Sequence, residues 1–403
     1  MTDKAKLSIL LIGVVFLGSV ASAFARKDSE SGRIRILYVG DFLRPSPYPL
    51  LEAEPLIALH PAWPVGETLT MPTGTVKKAF RQYIPRTYDL LAENDAIIID
   101  NPDASIFEDK HLIWFRDAVT EAGSGLVMVG GNGAFGGRPN TPWGPTVVQE
   151  VLPVWCVTGG WLEFGRVQIL KPEHDLLSSL PLDRRWEWME YAGGNQVRMK
   201  DGAELLAQYK SLTGDWTNPF WASWDVGQGR CFAMTMDWSP MGGVIFMRWP
   251  YYGDFAVNLM LYLSKNPIPA DLETLHYLRR LYQDFSSSRA YLFNVMDFAE
   301  KLGANMAPVG RIIGEAESKR GESVEQYIEQ EFEAAAERLE SSLEDMARAS
   351  GKALDLKNQA MFWIYVIEWC AVTATFAVGG FVIRTLMVRR GLYREVERTR
   401  FER

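Results

Sequence analysis

Twenty consecutive residues near the C-terminus, Trp369 to Val388, carry a single charge, Arg384. That length and polarity match the roughly 20 apolar residues needed to cross a bilayer core as a helix. In hydrocarbon every backbone polar group has to be satisfied within the segment, so such a stretch is a helix or nothing. Phe362, Trp363, Tyr365 and Trp369 collect at its start like an interfacial aromatic belt. Arg389, Arg390, Arg394, Arg398 and Arg400 follow its end. Positive charge is retained in the cytoplasm, which predicts a transmembrane helix over 361–388, a basic cytoplasmic tail over 389–403, and the rest of the chain outside. Glu368 falls just beyond the span as an interfacial carboxylate, and Arg384 is near enough to the inner end to snorkel. Ala371, Thr375 and Gly379 form a small-residue stripe of the kind that packs against another helix.

The N-terminus gives the same orientation. Lys4 and Lys6 precede an apolar run from Leu7 to Val20, and Ala21-Ser22-Ala23 supplies a small-residue cleavage pattern. The reading is a secretory signal over 1–25, cleaved or kept as a signal anchor. The chain is then a cell-membrane protein, single-pass after cleavage, with its main domain extracytoplasmic.

Between these ends, 47% apolar and 23% charged residues are enough for a sizeable core. A net charge of -8 argues against the basic face of a nucleic-acid binder. Three cysteines, Cys156, Cys231 and Cys370, rule out a disulfide framework and a cysteine-rich metal site. One bridge at most is open to them, between Cys156 and Cys231. His60, His111, His174 and His276 are scattered without metal-ligand spacing and read as surface or capping residues, so neither metal nor cofactor is expected.

Ile34 to Asp41 reads as a buried strand ending in a polar turn, and Asp95 to Asp100 as a second. The Pro-rich stretch from Pro45 to Pro72 reads as irregular surface, with a short helix over Thr75 to Tyr83. Leu112, Phe115, Val119 and Ala122 set an amphipathic helix over Glu108 to Ala122, and Gly125 to Gly130 is a third strand. Strand, helix, strand in this order implies a right-handed crossover and a parallel sheet. After Pro153 the chain turns β-rich: strands over Arg166 to Leu170 and Ala203 to Tyr209, then a hairpin of Phe220 to Asp225 and Arg230 to Met236 around Gly227-Gln228-Gly229. Phe255 to Leu263 is a closing helix. From Ala270 onward everything is helical, with a break expected at Ser286-Ser287-Ser288 and a long charged helix from Ser323 to Leu356. Phe332, Leu339, Met346 and Ala353 recur every seven residues, with Ile328, Ala335, Ser342, Ala349 and Leu356 in the second seam, which describes a helical stalk over 270–357. Its seam fits either its own neighbouring helices or a second copy.

In open parallel sheets ligands bind beyond the carboxyl ends of the strands. Asp41, Asn101 and the loop Gly130-Gly131-Asn132-Gly133-Ala134-Phe135-Gly136-Gly137 all occupy such ends. The candidate ligand-binding set is therefore Asp41, Asn101, Gly130, Gly131, Asn132, Gly133 and Phe135. Free N–H groups in the loop suit an anion; equally, the loop is a tight turn that simply needs glycine. It lacks the Gly-Lys-Ser/Thr of a phosphate loop and does not fit the dinucleotide fingerprint. Ten of the 14 tryptophans lie between Trp143 and Trp249 (Trp155, Trp161, Trp186, Trp188, Trp216, Trp221, Trp224 and Trp238 among them), as ligand-stacking faces or as core. Cys156 sits in an apolar run, Leu152-Pro153-Val154-Trp155, which does not favour a reactive thiolate.

Residues 33–266 resemble the class I glutamine amidotransferase-like superfamily. The resemblance rests on Ile36-Leu37-Tyr38-Val39-Gly40-Asp41, on the strand Asp95 to Asp100, on Gly123 to Gly131 leading into Phe135-Gly136-Gly137, and on Gly227-Gln228-Gly229-Arg230 leading to Met236-Asp237-Trp238. It implies a flavodoxin-like α/β domain, a parallel sheet with helices on both faces, here carrying a β-rich extension. Active members raise a cysteine on a Gly-x-Cys-x-Gly turn after the third strand and activate it with a His-x-Glu pair. In this chain that turn is Gly130 to Ala134 with Asn132 at the nucleophile position, and the nearest His-Glu pair is Pro172-Glu173-His174, in reversed order. The resemblance therefore implies the fold without the family's glutaminase chemistry.

Three functions follow. A non-catalytic extracytoplasmic domain would bind a small molecule or envelope component as sensor or scaffold. An envelope hydrolase would act on an amide or glycoside through carboxylates drawn from Asp41, Asp100, Glu173 and Asp237. A subunit of a larger membrane complex would use the stalk and transmembrane helix to meet membrane-protein partners or a second copy.

Overall fold

The computed structural model describes residues 31–40, 46–62, 73–137, 143–163, 165–182, 190–191, 193–239 and 243–401. The expected signal over 1–25, Asp41, Trp186 and Trp188 lie outside the described residues. The chain divides into two compact units. The first runs to Gln283 and takes in Val324–Ala335; the second holds Asp284–Ser323 and everything from Ala336 on.

In the first unit the elements are β1 (Ile34–Gly40), α1 (Tyr48–Ala53), β2 (Ile57–Pro61), α2 (Thr73–Tyr83), α3 (Tyr88–Ala92), β3 (Ala96–Asp100), α4 (Asp109–Thr120), β4 (Gly125–Val129), β5 (Val154–Leu162), β6 (Gly165–Ile169), β7 (Glu190–Tyr191), β8 (Gly194–Met199), β9 (Glu204–Ser211), β10 (Thr217–Val226), β11 (Gly229–Met234), α5 (Val244–Met247) and α6 (Tyr252–Leu263). Nine strands form one mixed sheet in the order β2-β1-β3-β4-β11-β10-β9-β6-β7, and β5 pairs with β8 in a second. The half from β2 to β11 is parallel; β10, β9, β6 and β7 extend it antiparallel. The parallel half follows the 2-1-3-4-5 order of doubly wound sheets, with β11 in fifth place.

Continuous apolar strands of this kind are covered on both sides, and their residues alternate between two cores. Ile36, Tyr38, Ile98, Val127 and Phe232 face the core that α6 closes with Phe255, Leu259 and Leu263. Leu37, Val39, Ile97, Ile99, Leu126 and Met128 face the other, built with Phe80 of α2 and Phe115 and Val119 of α4. His111 caps α4, its ring accepting from the Glu108 N–H, which is the capping role expected for it.

Three expectations need correction. The Pro-rich stretch is not irregular throughout: it holds α1 and the parallel edge strand β2, whose Ile57–Pro61 pair with Ile34–Tyr38. Pro61 ends the strand at an edge, where a missing N–H costs no ladder bond. The serine run does not break a helix, because α7 spans Leu272–Lys301 without interruption. Leu275, Leu278, Tyr282, Phe285 and Leu292 bury one stripe straight through the serines, and packing overrides their modest propensity. Finally, no helix begins at Ser323; α8 is Ala307–Ile328 and α9 is Phe332–Phe401. Between them the Glu331 and Gln330 N–H groups return to the Gln326 and Tyr327 carbonyls, with Gln330 at φ 66. This is a helix-ending motif that usually takes glycine, and a glutamine hides it from the sequence.

The second unit is an antiparallel helical arrangement. Arg289 of α7 pairs with Glu317 of α8, and Lys319 of α8 with Asp345 of α9, at 2.7 and 2.8 Å. Leu339, Met346, Ala349 and Ala353 are buried, so the seven-residue seam packs on helices of its own chain. Ser342, the polar seam position, donates its hydroxyl to the Ala316 carbonyl at 2.6 Å. Further along, α9 is long and apolar enough to cross a membrane, and its apolar side chains, such as Phe376 and Phe381, are exposed. Thr373, Thr375 and Thr385 return their hydroxyls to carbonyls four residues back, so these polar groups are satisfied within the helix.

Candidate functional site at the carboxyl edge of the sheet

The direction of winding reverses between β1 and β3, and crevices at such points are where open α/β sheets bind ligands. Here the crevice is pinched shut at its base. Gly40 lies opposite Asp100, at φ 144, and a side-chain carbon there would meet the Asp100 carbonyl at 2.0 Å. Asp100 itself is buried. Its carboxylate accepts from the Tyr38 phenol and from the Trp238 indole N–H, the latter at 3.0 Å. Tyr252 donates to the Trp238 carbonyl at 2.8 Å, and Tyr48 meets Tyr38 edge to face. Burial above all, then the adjacent Asp100, holds the Tyr38 phenol well above its ordinary pKa, so it remains a donor. Asp100 is thereby committed to structure.

The loop after β4 is filled from within the protein. Asn195 of β8 is buried; its carbonyl oxygen accepts from Gly131 N–H at 2.9 Å, and its amide donates to the Gly131 and Ala134 carbonyls, both at 3.1 Å. Asn101, itself left-handed at φ 58, accepts from Gly133 N–H at 2.7 Å. Trp143, fully buried, donates to the Gly133 and Pro102 carbonyls. Gly131 is required because a side chain would strike the Asn101 amide at 2.3 Å. Two N–H groups that an anion would need are therefore spent on asparagines, and Phe135 is core. Of the candidate residues, Gly130, Gly131, Gly133 and Phe135 are buried, whereas Asn101 and Asn132 are partly exposed at this edge.

Of the other described candidate carboxylates, Asp237 lies at this edge and Glu173 does not. Asp237 follows β11 at the same edge; burial raises its pKa, against hydrogen bonds from the Ser239 N–H and hydroxyl. Glu173 stands beside His174, whose ring meets Tyr262 near the C-terminus of α6. The next residue, Leu263, abuts Gly125 at the opposite end of β4. A strand's length thus separates this His-Glu pair from the loop.

Cys156 has a thiol pushed up to about 12 by burial, which the nearby Lys200 offsets only in part. At pH 8 its thiolate fraction is on the order of a thousandfold below that of a free cysteine. In a Cys370→Ser background, a chromogenic disulfide reagent should label Cys156 correspondingly slowly in the folded chain and fast after denaturation. Rapid labelling of folded protein would restore the thiol as a nucleophile. Trp143, Trp221 and Trp238 are core, and Trp155 and Trp224 clamp the protein's own Lys200 at 4.5 and 5.1 Å. No sequence pattern marks Asn195, Tyr38 or Trp238 as anchors of this edge. Asn195 sits at an inward position of an ordinary alternating strand, and only the fold shows what it faces.

Residues 70–265 match the family model described as "Putative glutamine amidotransferase". Among solved structures, a cytoplasmic protein from Salmonella typhimurium LT2 is similar at 22% identity, over 57% of this chain and 99% of its own, with a TM-score of 0.45. A second cytoplasmic protein from Salmonella typhimurium has 21% identity over 57% and 99%, also at 0.45. A cold-adapted β-galactosidase from Rahnella sp. R3 has 14% identity over 58% of this chain and 32% of its own, at 0.35. No curated protein matches the chain.

Proposed function

The chain belongs, through residues 70–265, to the class I glutamine amidotransferase-like superfamily, and from that premise we propose a non-catalytic binding domain held outside the cytoplasm by a membrane helix. In this reading 1–25 is an export signal, 33–266 the binding domain, 270–357 its helical stalk, 361–388 the span and 389–403 a cytoplasmic tail. The ligand is a small molecule or envelope component that meets Asn101 and Asn132, the two candidate residues partly exposed at this edge. The observation that carries the reading is the occupied loop: Asn132 stands where the family has its nucleophile, and the Gly131 and Gly133 N–H groups are already bonded to Asn195 and Asn101. An oxyanion hole needs such donors free and aimed at the reacting centre. The exposed apolar length of α9, with its threonines internally satisfied, supports the anchor.

The raised pKa of Asp237 favours one second reading, a hydrolase using it as general acid. Two measurements test the proposal. The full chain should stay with membranes through alkaline extraction, and a C-terminal tag should resist protease added outside. Purified in detergent, it should release no ammonia from glutamine and cleave no amide or glycoside of a substrate panel. Turnover abolished by Asn132→Ala or Asp237→Asn would replace the binding reading with an enzymatic one, and release by alkaline extraction would remove the anchor.

A further inference from the structure

A pocket in the first unit is lined by none of the candidate loop residues, although Tyr252 of the Asp100–Trp238 network borders it, and nothing above assigns it. It holds about 250 Å³ where the first turn of α6 meets α7, within Leu272–Gln283. That is smaller than the roughly 300–1,000 Å³ of sites that enclose a drug-sized molecule, so it fits a small charged group. Arg248, Arg279 and Arg280 all line it, with His276 and Gln283.

The floor is rigid. Arg279 is buried and donates to Glu54 at 3.1 Å and to Asp254 at 2.8 Å. The other oxygen of Asp254 lies 2.6 Å from Nδ1 of His276. A carboxylate can only accept, so the imidazole donates through Nδ1 and leaves Nε2 as its free edge. Asp254 is thus fully used inside the protein, and Glu54 is buried behind Arg279. These two carboxylates offset Arg279 and one charge more. Arg248 and Arg280 are both exposed, and neither makes an ion pair with a described residue. The pocket therefore carries excess positive charge.

Two further features point the same way. Tyr252, Gly253 and Asp254 are the first three residues of α6, so the N-terminal end of a twelve-residue helix borders the pocket. The Tyr252 N–H bonds the Trp249 carbonyl, and the helix dipole at this end favours an anion. Gly253 lines the same mouth, where a side-chain carbon would come within 3.3 Å of the Gln283 amide nitrogen.

We infer that this pocket binds a phosphoryl group, with Arg248 and Arg280 as paired forks, Arg279 as the fixed floor that Glu54 and Asp254 hold in place, and the start of α6 beside it. Guanidinium forks match the oxygens of a phosphoryl group in geometry as well as charge. A soluble phosphate or phosphomonoester and a lipid phosphodiester headgroup share this chemistry.

The test is calorimetric titration of the full chain in detergent, at matched ionic strength, with inorganic phosphate and with glycerophosphoglycerol as the diester probe. Arg248→Gln with Arg280→Gln removes both exposed forks and leaves the buried floor intact; Arg280→Gln alone serves as the milder variant. The expected result is one site per chain, weakened at least tenfold in the double variant, with an unchanged melting temperature. Tighter binding of phosphate assigns a soluble ligand, and tighter binding of the diester a lipid headgroup. Absence of binding by both probes, or binding that the double variant leaves intact, overturns the inference.

Discussion

Arg279→Met should destabilise the first unit by about 3–5 kcal/mol, because it strands two carboxylates in the interior. The side chains of Arg279, Glu54 and Asp254 are 4%, 1% and 3% exposed. Burial pulls the guanidinium pKa down, but Tyr327, Glu54 and Asp254 outweigh it and hold the value above that of a free arginine. Removing one member of such a set costs far more than removing all of it, since the penalty comes from what is left uncompensated. The triple variant Arg279→Met, Glu54→Gln, Asp254→Asn should therefore regain most of the loss. Urea unfolding of the full chain in micelles, followed by tryptophan fluorescence, measures both. A single-variant loss below about 1 kcal/mol would mean that water reaches this cluster, contrary to the burial on which the argument rests.

The second large effect is expected at Asp100. Asp100→Leu leaves the Tyr38 hydroxyl and the Trp238 indole N–H buried without their acceptor. Each unsatisfied donor costs about 1–3 kcal/mol, so a loss of about 2–6 kcal/mol follows, reduced by relief from burying a carboxylate. Asp100→Asn keeps an acceptor oxygen and should cost less. In a double-mutant cycle with Tyr38→Phe the two changes should be strongly non-additive, because they remove one shared interaction. Additive losses would show that the phenol and carboxylate act separately. This experiment also bears on the hydrolase reading: Tyr38 and Trp238 both donate to one oxygen of Asp100, and a carboxylate buried in that network could act as a general base only by disturbing it.

The parallel strands are legible because short apolar runs that end in polar turns fit little besides buried strands, and β1, β3 and β4 lie where the apolar pattern places them. The hairpin of β10 and β11 is equally plain, since Gly227 supplies the positive φ that its two-residue turn requires. What escapes are features whose signal is tertiary. The serine run in α7 looks like a break until one sees the stripe from Leu275 to Leu292 pass through it. The stop at Gln330 uses a left-handed glutamine where glycine would have announced it. Position along the strands picks out the candidate loop, but whether its N–H groups are free depends on Asn195, 64 residues away. The Arg279 cluster joins Glu54, Asp254 and His276 across more than two hundred residues, and no local pattern marks it.

The return of Val324–Ala335 to the first unit bears on where this chain can be cut. Tyr327 sits in that short passage, its ring edge-on to Tyr282 and its hydroxyl beside Glu54 and Arg279. Neither unit is a single unbroken length of chain. A chain ending at Asn266 would carry all eleven described strands and still leave Glu54 and Asp254 without Arg279. The first unit is complete only when residues on both sides of Asp284–Ser323 are present, so a cut anywhere in that stretch discards part of its interior.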